Sequence, residues 1–260
     1  DAFLADIAKK PGYQAGNTLK LILPFLKGAG LGTGRLAEFA QNHITLMPKA
    51  NAALPFLHSL NFPVFALSGG LRPWGEAVAA KLGMPLDGLY CSETSLDDHE
   101  VSPPEAAELR SLLEEIISLP EITLPAGVRS MEDLAPEVRA ALGRLEDIFF
   151  ERLPETASGR RSREISLMAG PEKVRALEDS LARTGLKMTD LMYVGGSSTD
   201  VPALERVRQG GGLALSFNGD RHAVRAAEVC VAADTAWPLA LLAGIFLTWG
   251  KEGEIGRAHV

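Results

Sequence analysis

Four short polar segments follow apolar runs of this sequence, and each carries residue types that bind phosphate or a hard cation. They are Ser68-Gly69-Gly70, Gly170-Pro171-Glu172-Lys173, Tyr193 to Asp200, and Ser216 to Asp220. Hydroxyls, unhindered glycine amides and a lysine ammonium suit phosphate oxygens, while a carboxylate suits a hard cation. Taken singly, each segment is also explained by an ordinary turn, or by a helix N-cap at Asp200. Their order along the chain is therefore more informative than any one of them.

The elements that would position these segments alternate between strand and helix. Apolar runs predict strands at 62–67, 88–91, 190–195, 212–217 and 229–232, and helical periodicity predicts helices at 73–82, 171–184, 200–208 and 222–227. This alternation is typical of a doubly wound α/β fold with a parallel sheet and a Rossmann-like core. Ligands of such sheets bind beyond the carboxyl ends of the strands, which is where the four polar segments lie.

Two further regions are predicted to be helical. We interpret 1–47 as a helical cap, 48–96 and 162–250 as two parts of the core, and 97–161 as a helical insert. The insert contains amphipathic helices near 103–118 and 131–153, followed by an exposed exit loop at 158–163. The cap would close over the site and select the substrate, and the insert could do the same or bind a protein partner.

Composition excludes some classes of function. The 260 residues carry a formal net charge of −7 and a pI near 5.3, so no basic field is available for a nucleic-acid backbone. An acidic protein that handles phosphate esters needs a cation in its site, because carboxylates repel phosphate. The longest apolar stretch, 236–250, includes Pro238 and is shorter than the ~17–25 residues that a membrane span requires, which predicts a core helix.

The two cysteines, Cys91 and Cys230, form neither a CxxC pair nor a disulfide framework. We expect both to be small buried side chains of a protein in a reducing, cytoplasmic compartment.

Both ends of the sequence have unusual features. The chain starts at Asp1 without an initiator Met, and Ile255 to Val260 matches what the start of a widely used sequencing-library adapter encodes. We therefore expect 251–260 to be a non-native tail and the chain to be a fragment, and we leave the tail out of the fold prediction.

The order of the motifs resembles the haloacid dehalogenase (HAD) superfamily, in particular its phosphoserine-phosphatase-like branch. The resemblance rests on Ser-Gly-Gly after a strand, Gly-x-x-Lys opening a helix, Tyr-Val-Gly-x-Ser-x-Thr-Asp, and the segment Gly-Leu-Ala-Leu-Ser-Phe-Asn-Gly. It is specific over 173–235 and looser over 48–92. The segments 9–27 and 192–204 also resemble a narrower group, the accessory subunit R of energy-converting hydrogenases.

The resemblance implies a Mg²⁺-dependent phosphomonoester hydrolase that acts through an aspartyl-phosphate intermediate. In that reading Ser68, with the amides of Gly69 and Gly70, holds the transferring phosphoryl group, and Lys173 neutralises it. Asp200 would bind or orient Mg²⁺, and Asn218 would border the phosphate pocket. The substrate would be a small phosphorylated molecule.

Two departures from the family pattern concern catalysis. Gly196 stands where the family's fourth motif has its first acid, a usual metal ligand. The nucleophile motif D-x-D is absent after any apolar run of the sequence. The resemblance places that motif before the cap, upstream of Asp1, so the first core strand is expected to be missing and this fragment to be inactive.

Other classes of function were weighed. Gly32 to Ala37 fits G-x-G-x-x-A, but no β-branched strand precedes it and no acid follows at the ribose-binding distance, which disfavours dinucleotide binding. The histidines lack the paired spacing of a metal hydrolase. A non-catalytic accessory or docking subunit remains open, because Gly196 favours it while Ser68, Lys173 and Asp200 oppose it.

Overall fold

The computed structural model describes residues 4, 10, 11, 13–123, 128 and 130–257, the last six by their backbone alone. The chain divides into two compact units, one of residues 1–38 with 93–166 and one of 39–92 with 167–260. The described helices are α1 (Thr18–Gly28), α2 (Thr33–His43), α3 (Ala50–Ser59), α4 (Arg72–Leu82), α5 (Pro103–Ser118), α6 (Pro136–Asp147), α7 (Ala157–Glu164), α8 (Pro171–Thr184), α9 (Val201–Gln209), α10 (Arg221–Ala226) and α11 (Trp237–Arg257). The described strands are β1 (Ala66–Leu71), β2 (Leu89–Ser92), β3 (Met192–Gly195), β4 (Leu213–Phe217) and β5 (Val229–Val231).

The first unit is helical. Its core is formed by α1, α5 and the turns at 148–155, and the buried members are Phe25, Leu109, Leu112, Ile148 and Leu153. The segments predicted as cap (1–47) and insert (97–161) lie mainly in this unit, and those predicted as core lie mainly in the other. Part of the predicted cap, at 1–3, 5–9 and 12, lies outside the described residues.

The second unit holds all five strands in two parallel sheets. Strand β1 pairs with β2, while β4 pairs with both β3 and β5. Leu213, Ala214 and Leu215 of β4 are completely buried, as expected for a central strand covered on both faces. The predicted α/β class is therefore confirmed as a mixed, mostly helical fold with small parallel sheets.

Strand β1 corrects a sequence prediction. We expected a strand at 62–67 followed by a Ser68-Gly69-Gly70 turn, but β1 begins at Ala66 and includes those three residues. Its pairing with β2 shifts register between Ser68 and Leu71, which marks a bulge at the glycines. Glycine is rare in strand interiors, and this is why the sequence pattern ended the strand too early.

Helix α7 corrects a second prediction, because 158–163 was expected to be an exposed loop. Instead Thr156 caps a helix by accepting a hydrogen bond from the Gly159 amide at 2.9 Å, and Ser158, Gly159 and Ser162 are buried. The predicted helix at 131–153 is likewise interrupted. Helix α6 covers only 136–147 of it, and a π-helical turn follows at Ile148–Arg152.

Two predictions of burial were only partly right. Cys91 is buried as expected, whereas Cys230 is exposed. Helix α11 packs on α3 through Ala240, but Leu241, Leu247 and Trp249 on it are about half exposed, so it is not a fully buried core helix. Its backbone departs from helical geometry at Gly250, where the predicted tail begins; 258–260 lie outside the described residues.

A search of the described helices for one long and apolar enough to cross a bilayer found none.

Candidate functional site

The candidate site lies in the second unit, where β1, β3 and β4 end and the loops that follow them begin. The Ser68 hydroxyl accepts a hydrogen bond from the Gly70 amide at 3.2 Å, within the β1 bulge. The Ser92 hydroxyl donates to the Gly69 carbonyl and accepts from the Met168 amide, both at 3.0 Å. Ser92 is buried at the end of β2 and so ties the bulge to the loop before α8.

That loop leads to Lys173. Gly170 precedes α8 with φ of +54°, in the left-handed region that glycine adopts readily, and its amide donates to the Thr199 carbonyl at 3.0 Å. Lys173 lies in the first turn of α8, where the helix dipole disfavours a cation, and it is only 5% exposed. Its ammonium donates to the Thr199 hydroxyl at 3.1 Å and to Asp200 Oδ1 at 2.5 Å. The structure therefore brings two of the predicted site residues, Lys173 and Asp200, into direct contact.

The Asp200 carboxylate accepts hydrogen bonds from five donors. Oδ1 receives the Lys173 ammonium and the Tyr193 hydroxyl, the latter at 2.8 Å. Oδ2 receives the Gly196 amide, the Ser197 amide and the Ser197 hydroxyl, each at 3.0 Å. One carboxylate thus holds the lysine, the β3 tyrosine and the loop that follows β3.

Electrostatics fix the protonation states of this cluster. Burial raises the pKa of the Tyr193 hydroxyl, and the charge of Asp200 raises it further, so Tyr193 remains a neutral donor. Burial also opposes ionisation of Asp200. The charge and hydrogen bond of Lys173, with the Gly196 amide, outweigh that penalty and hold the pKa of Asp200 below its usual value.

Close packing explains the glycines between β3 and Asp200. A Cβ atom at Gly195 would lie 2.6 Å from Asp200 Cβ, and one at Gly196 would lie 3.1 Å from the Phe217 carbonyl oxygen. The first distance is far below a van der Waals contact, so any larger residue at Gly195 would displace Asp200.

The loop after β4 contacts the loop after β3 at the same edge of the sheet. The Asp220 carboxylate accepts from the His222 and Ala223 amides, which caps α10, and from the Ser198 amide at 2.9 Å. The Asn218 side chain is committed elsewhere, because its amide donates to the Ala233 carbonyl at 2.7 Å and its oxygen accepts from the Ala233 amide at 2.9 Å. Asn218 therefore links the residue that follows β4 to the segment that follows β5.

A groove runs along β1 and β3. One cavity of about 230 Å³ is lined by both strands and reaches Asp200, with Phe65, Leu67, Tyr193 and Val194 among its walls. A second cavity, of about 540 Å³, is adjacent to the first and shares six lining residues with it, Phe62, Pro63, Phe65, Ser180, Leu191 and Met192. We call their union the β1–β3 groove. Its walls are mainly apolar. They include Leu67 of β1 and Met192, Tyr193 and Val194 of β3, two strands that are not hydrogen-bonded to each other, together with residues of neighbouring helices and loops.

The fold is shared with an archaeal protein of known structure. That structure is of gene product AF1437 from Archaeoglobus fulgidus, with a TM-score of 0.78 and 23% sequence identity over all of this chain and 75% of that one. No protein-family model matches the chain. No curated protein matches it either. At this identity the likeness concerns the fold alone.

The described residues do not fit Mg²⁺. They contain no group of three or more histidine, cysteine, aspartate or glutamate side chains that could hold a metal ion. Asp200 is the acid that the resemblance assigned to the metal, and its oxygens are occupied by five protein donors. Gly196 offers no second carboxylate.

A separate polar cluster lies in the first unit. His99 contacts Asp98 through Nδ1 at 2.8 Å and the Ser158 hydroxyl through Nε2 at 3.1 Å, and the Lys27 ammonium also contacts Asp98. The order of groups is that of a nucleophile, base and acid, but Ser158 is 2% exposed and its amide is bound by Glu105. This cluster is therefore structural.

Sequence reasoning missed three residues of the site. Tyr193, Ser92 and Asp220 hold the predicted segments in place through hydrogen bonds that span 7, 23 and 22 positions, respectively. Tyr193 could have been suspected from its position in the Tyr-Val-Gly segment. Asp220 lies in the fourth polar segment, but no role was assigned to it, and the sequence carried no signal for Ser92.

Proposed function

We propose that this chain is part of a HAD-type phosphomonoester hydrolase of the phosphoserine-phosphatase-like branch, with its nucleophile on a strand outside residues 1–260. The observation that carries the proposal is the buried Lys173, which is held by Asp200 and Thr199 at the carboxyl end of β3. A lysine costs free energy when it is buried and when it lies at a helix N-terminus, so its retention there needs a functional reason.

The phosphoryl group would be bound by residues of two loops. Lys173 has three N–H bonds, two of which go to Thr199 and Asp200, so one remains for a phosphate oxygen. The Ser68 hydroxyl and the Gly69 amide would hold the other oxygens. Asn218 is left out of this arrangement, because its side-chain amide binds both backbone groups of Ala233.

The β1–β3 groove supports the position of the additional strand. An extended segment in it would pair with β1 on one side and β3 on the other, which would unite the two small sheets into one doubly wound parallel sheet. Its carboxyl end would emerge beside Asp200. A carboxylate there would attack phosphorus, and the aspartyl-phosphate formed would then be hydrolysed by water.

Phosphate binding by the chain as it stands tests this proposal. We expect inorganic phosphate to bind, with a dissociation constant measurable from ³¹P line widths, and Lys173→Met to weaken binding about tenfold or more. The matched control is Lys187→Met, which removes an exposed lysine of the same unit and should leave the dissociation constant unchanged. Equal phosphate affinity in the wild type and Lys173→Met would refute the assignment.

A second candidate is a non-catalytic accessory subunit, as in the hydrogenase-associated group. Two observations favour it: Gly196 stands where an acid is expected, and the Asp200 carboxylate is filled by protein donors. Hydrolysis of p-nitrophenyl phosphate by a longer protein that includes the additional strand distinguishes the two. Turnover that Lys173→Met abolishes supports the hydrolase, whereas phosphate binding without turnover supports the accessory role.

A further inference from the structure

We infer that Asp200 is a positioning residue rather than a cation ligand, and that the phosphate site binds its anion without a divalent cation. The role of Asp200, which we call the cation half of the inference, rests on the geometry of Asp200 alone. Phosphate binding without a divalent cation, which we call the anion half, rests on the proposed function.

The first argument is the number of acceptor positions. An ionised carboxylate offers about four lone-pair directions, and Asp200 already receives five donors within 3.0 Å. A Mg²⁺ ion requires near-octahedral oxygen ligands at about 2.0–2.1 Å, with lone pairs directed at the ion. To bind one, Asp200 would have to release the loop amides or the lysine.

The second argument is charge. The Lys173 ammonium lies 2.5 Å from Asp200 Oδ1, so a dication at that oxygen would be placed against a fixed positive charge. Both side chains are buried, which leaves little water to screen the repulsion. The ammonium thus occupies the place that a cation would take.

The third argument is that Gly196 supplies no carboxylate and that a side chain at this position would be crowded. A Cβ atom there would approach the Phe217 carbonyl oxygen to 3.1 Å, a contact with backbone rather than with a flexible side chain. The backbone of Phe217 therefore packs closely against Gly196, where there is no side chain.

Tyr193 completes the assignment. Its hydroxyl donates to the same oxygen as Lys173 and comes from β3, so it fixes the carboxylate against rotation. Together, Tyr193 and the 196–197 amides orient Asp200, and Asp200 orients Lys173 toward the anion.

Two measurements on the wild-type protein test the inference. Mn²⁺ is titrated into ¹⁵N-labelled protein, and the paramagnetic broadening of the 195–200 amide signals is compared with that of the rest of the chain. In parallel, the phosphate dissociation constant is measured with saturating MgCl₂ and with EDTA. We expect no selective broadening at 195–200, and a phosphate affinity that agrees within about twofold under both conditions.

Selective broadening at 195–200 would overturn the cation half of the inference, and phosphate affinity that rises about tenfold with Mg²⁺ would overturn the anion half. If phosphate binds under neither condition, the proposed function and the anion half fail together, while the Mn²⁺ titration still decides the role of Asp200.

The positioning role has its own readout, the ¹H–¹⁵N signal of the Lys173 ammonium. We expect this signal to shift in Asp200→Asn and to persist in Tyr193→Phe; an unchanged signal in Asp200→Asn would contradict positioning.

Discussion

Asp200 joins elements that are distant along the sequence: α8 through Lys173, β3 through Tyr193, and the β3–α9 loop through two amides. Such a carboxylate contributes to stability because removing it leaves the buried Lys173 ammonium without its charged partner and two part-buried loop amides without their acceptor. Its contribution depends on its charge, so it can be measured by substitution and by pH.

We expect Asp200→Ala to lower the free energy of unfolding by about 3 kcal/mol, because a buried ion pair loses one partner. The measurement is urea denaturation followed by circular dichroism. Asp234→Ala, which removes an exposed carboxylate of the same unit, serves as the control and should change the free energy by less than about 0.5 kcal/mol. An equal decrease in the free energy of unfolding in both variants would show that the Asp200 contacts do not stabilise the loop.

The pH dependence follows from the lowered pKa of Asp200. A group whose pKa is lower in the folded state stabilises the protein above its unfolded pKa of about 3.9, and this contribution is lost as the pH falls through the folded value. We therefore expect the stability difference between the wild type and Asp200→Asn to be constant from neutral pH to about pH 5 and to shrink below about pH 4. Denaturation curves measured across that pH range check this expectation. A stability difference that grows toward acidic pH would contradict a lowered pKa of Asp200 in the folded state.

At the scale of elements, helix α7 depends on one close contact. A Cβ atom at Gly159 would lie 1.9 Å from the Leu153 carbonyl oxygen, so the helix packs against the preceding turn only because this residue is glycine. In α6 of the same unit, Gly143 has open space around its Cβ position.

These two glycines make a matched pair of tests. We expect Gly159→Ala to destabilise the protein by about 1–3 kcal/mol through backbone displacement. Gly143→Ala should instead stabilise it by up to about 1 kcal/mol, because alanine favours an exposed helix interior. Thermal denaturation of both variants provides the measurement, and stabilisation by Gly159→Ala would mean that α7 is not packed as described.

The same elements indicate how far the sequence could predict this protein. Apolar runs located β3, β4 and β5 to within two residues, because buried parallel strands are strongly apolar. The predicted end of β1 was wrong because the strand continues through two glycines, and α7 was missed because small and charged residues are typical of loops. In both cases tertiary contacts decided the structure, namely the β2 pairing and the burial of Gly159.

The candidate site was predictable to the same degree. Lys173 and Asp200 lie in motifs with fixed positions, and the structure brings them together. The Ser92 link spans 23 residues to Gly69 and 76 to Met168, and no periodicity reports such pairs. The metal expectation came from the acidic composition and from the resemblance, and nothing in the sequence alone could reveal that five donors fill the Asp200 carboxylate.

At the scale of the whole molecule, the two compact units have separate hydrophobic cores. We expect Gly159→Ala to speed hydrogen exchange in α5 and α7 of the first unit and to leave the β4 amides of the second unit protected, since each core is stabilised by its own contacts. Exchange measured by mass spectrometry on peptides from 103–118 and 213–217 checks this. A parallel loss of protection in both peptides would show that the chain unfolds as one unit.

The Asn218 contacts have a consequence for how the protein ages. Asn-Gly is the dipeptide most prone to deamidation, because the glycine nitrogen attacks the asparagine side chain with little hindrance. Here that side chain is held by both backbone groups of Ala233, and these two hydrogen bonds restrain the rotation that the attack requires while the fold persists. Loss of the amide would set a carboxylate oxygen against the Ala233 carbonyl and weaken the β5 connection. Mass spectrometry of stored protein should therefore find little deamidation at Asn218 in the native state and rapid deamidation in urea.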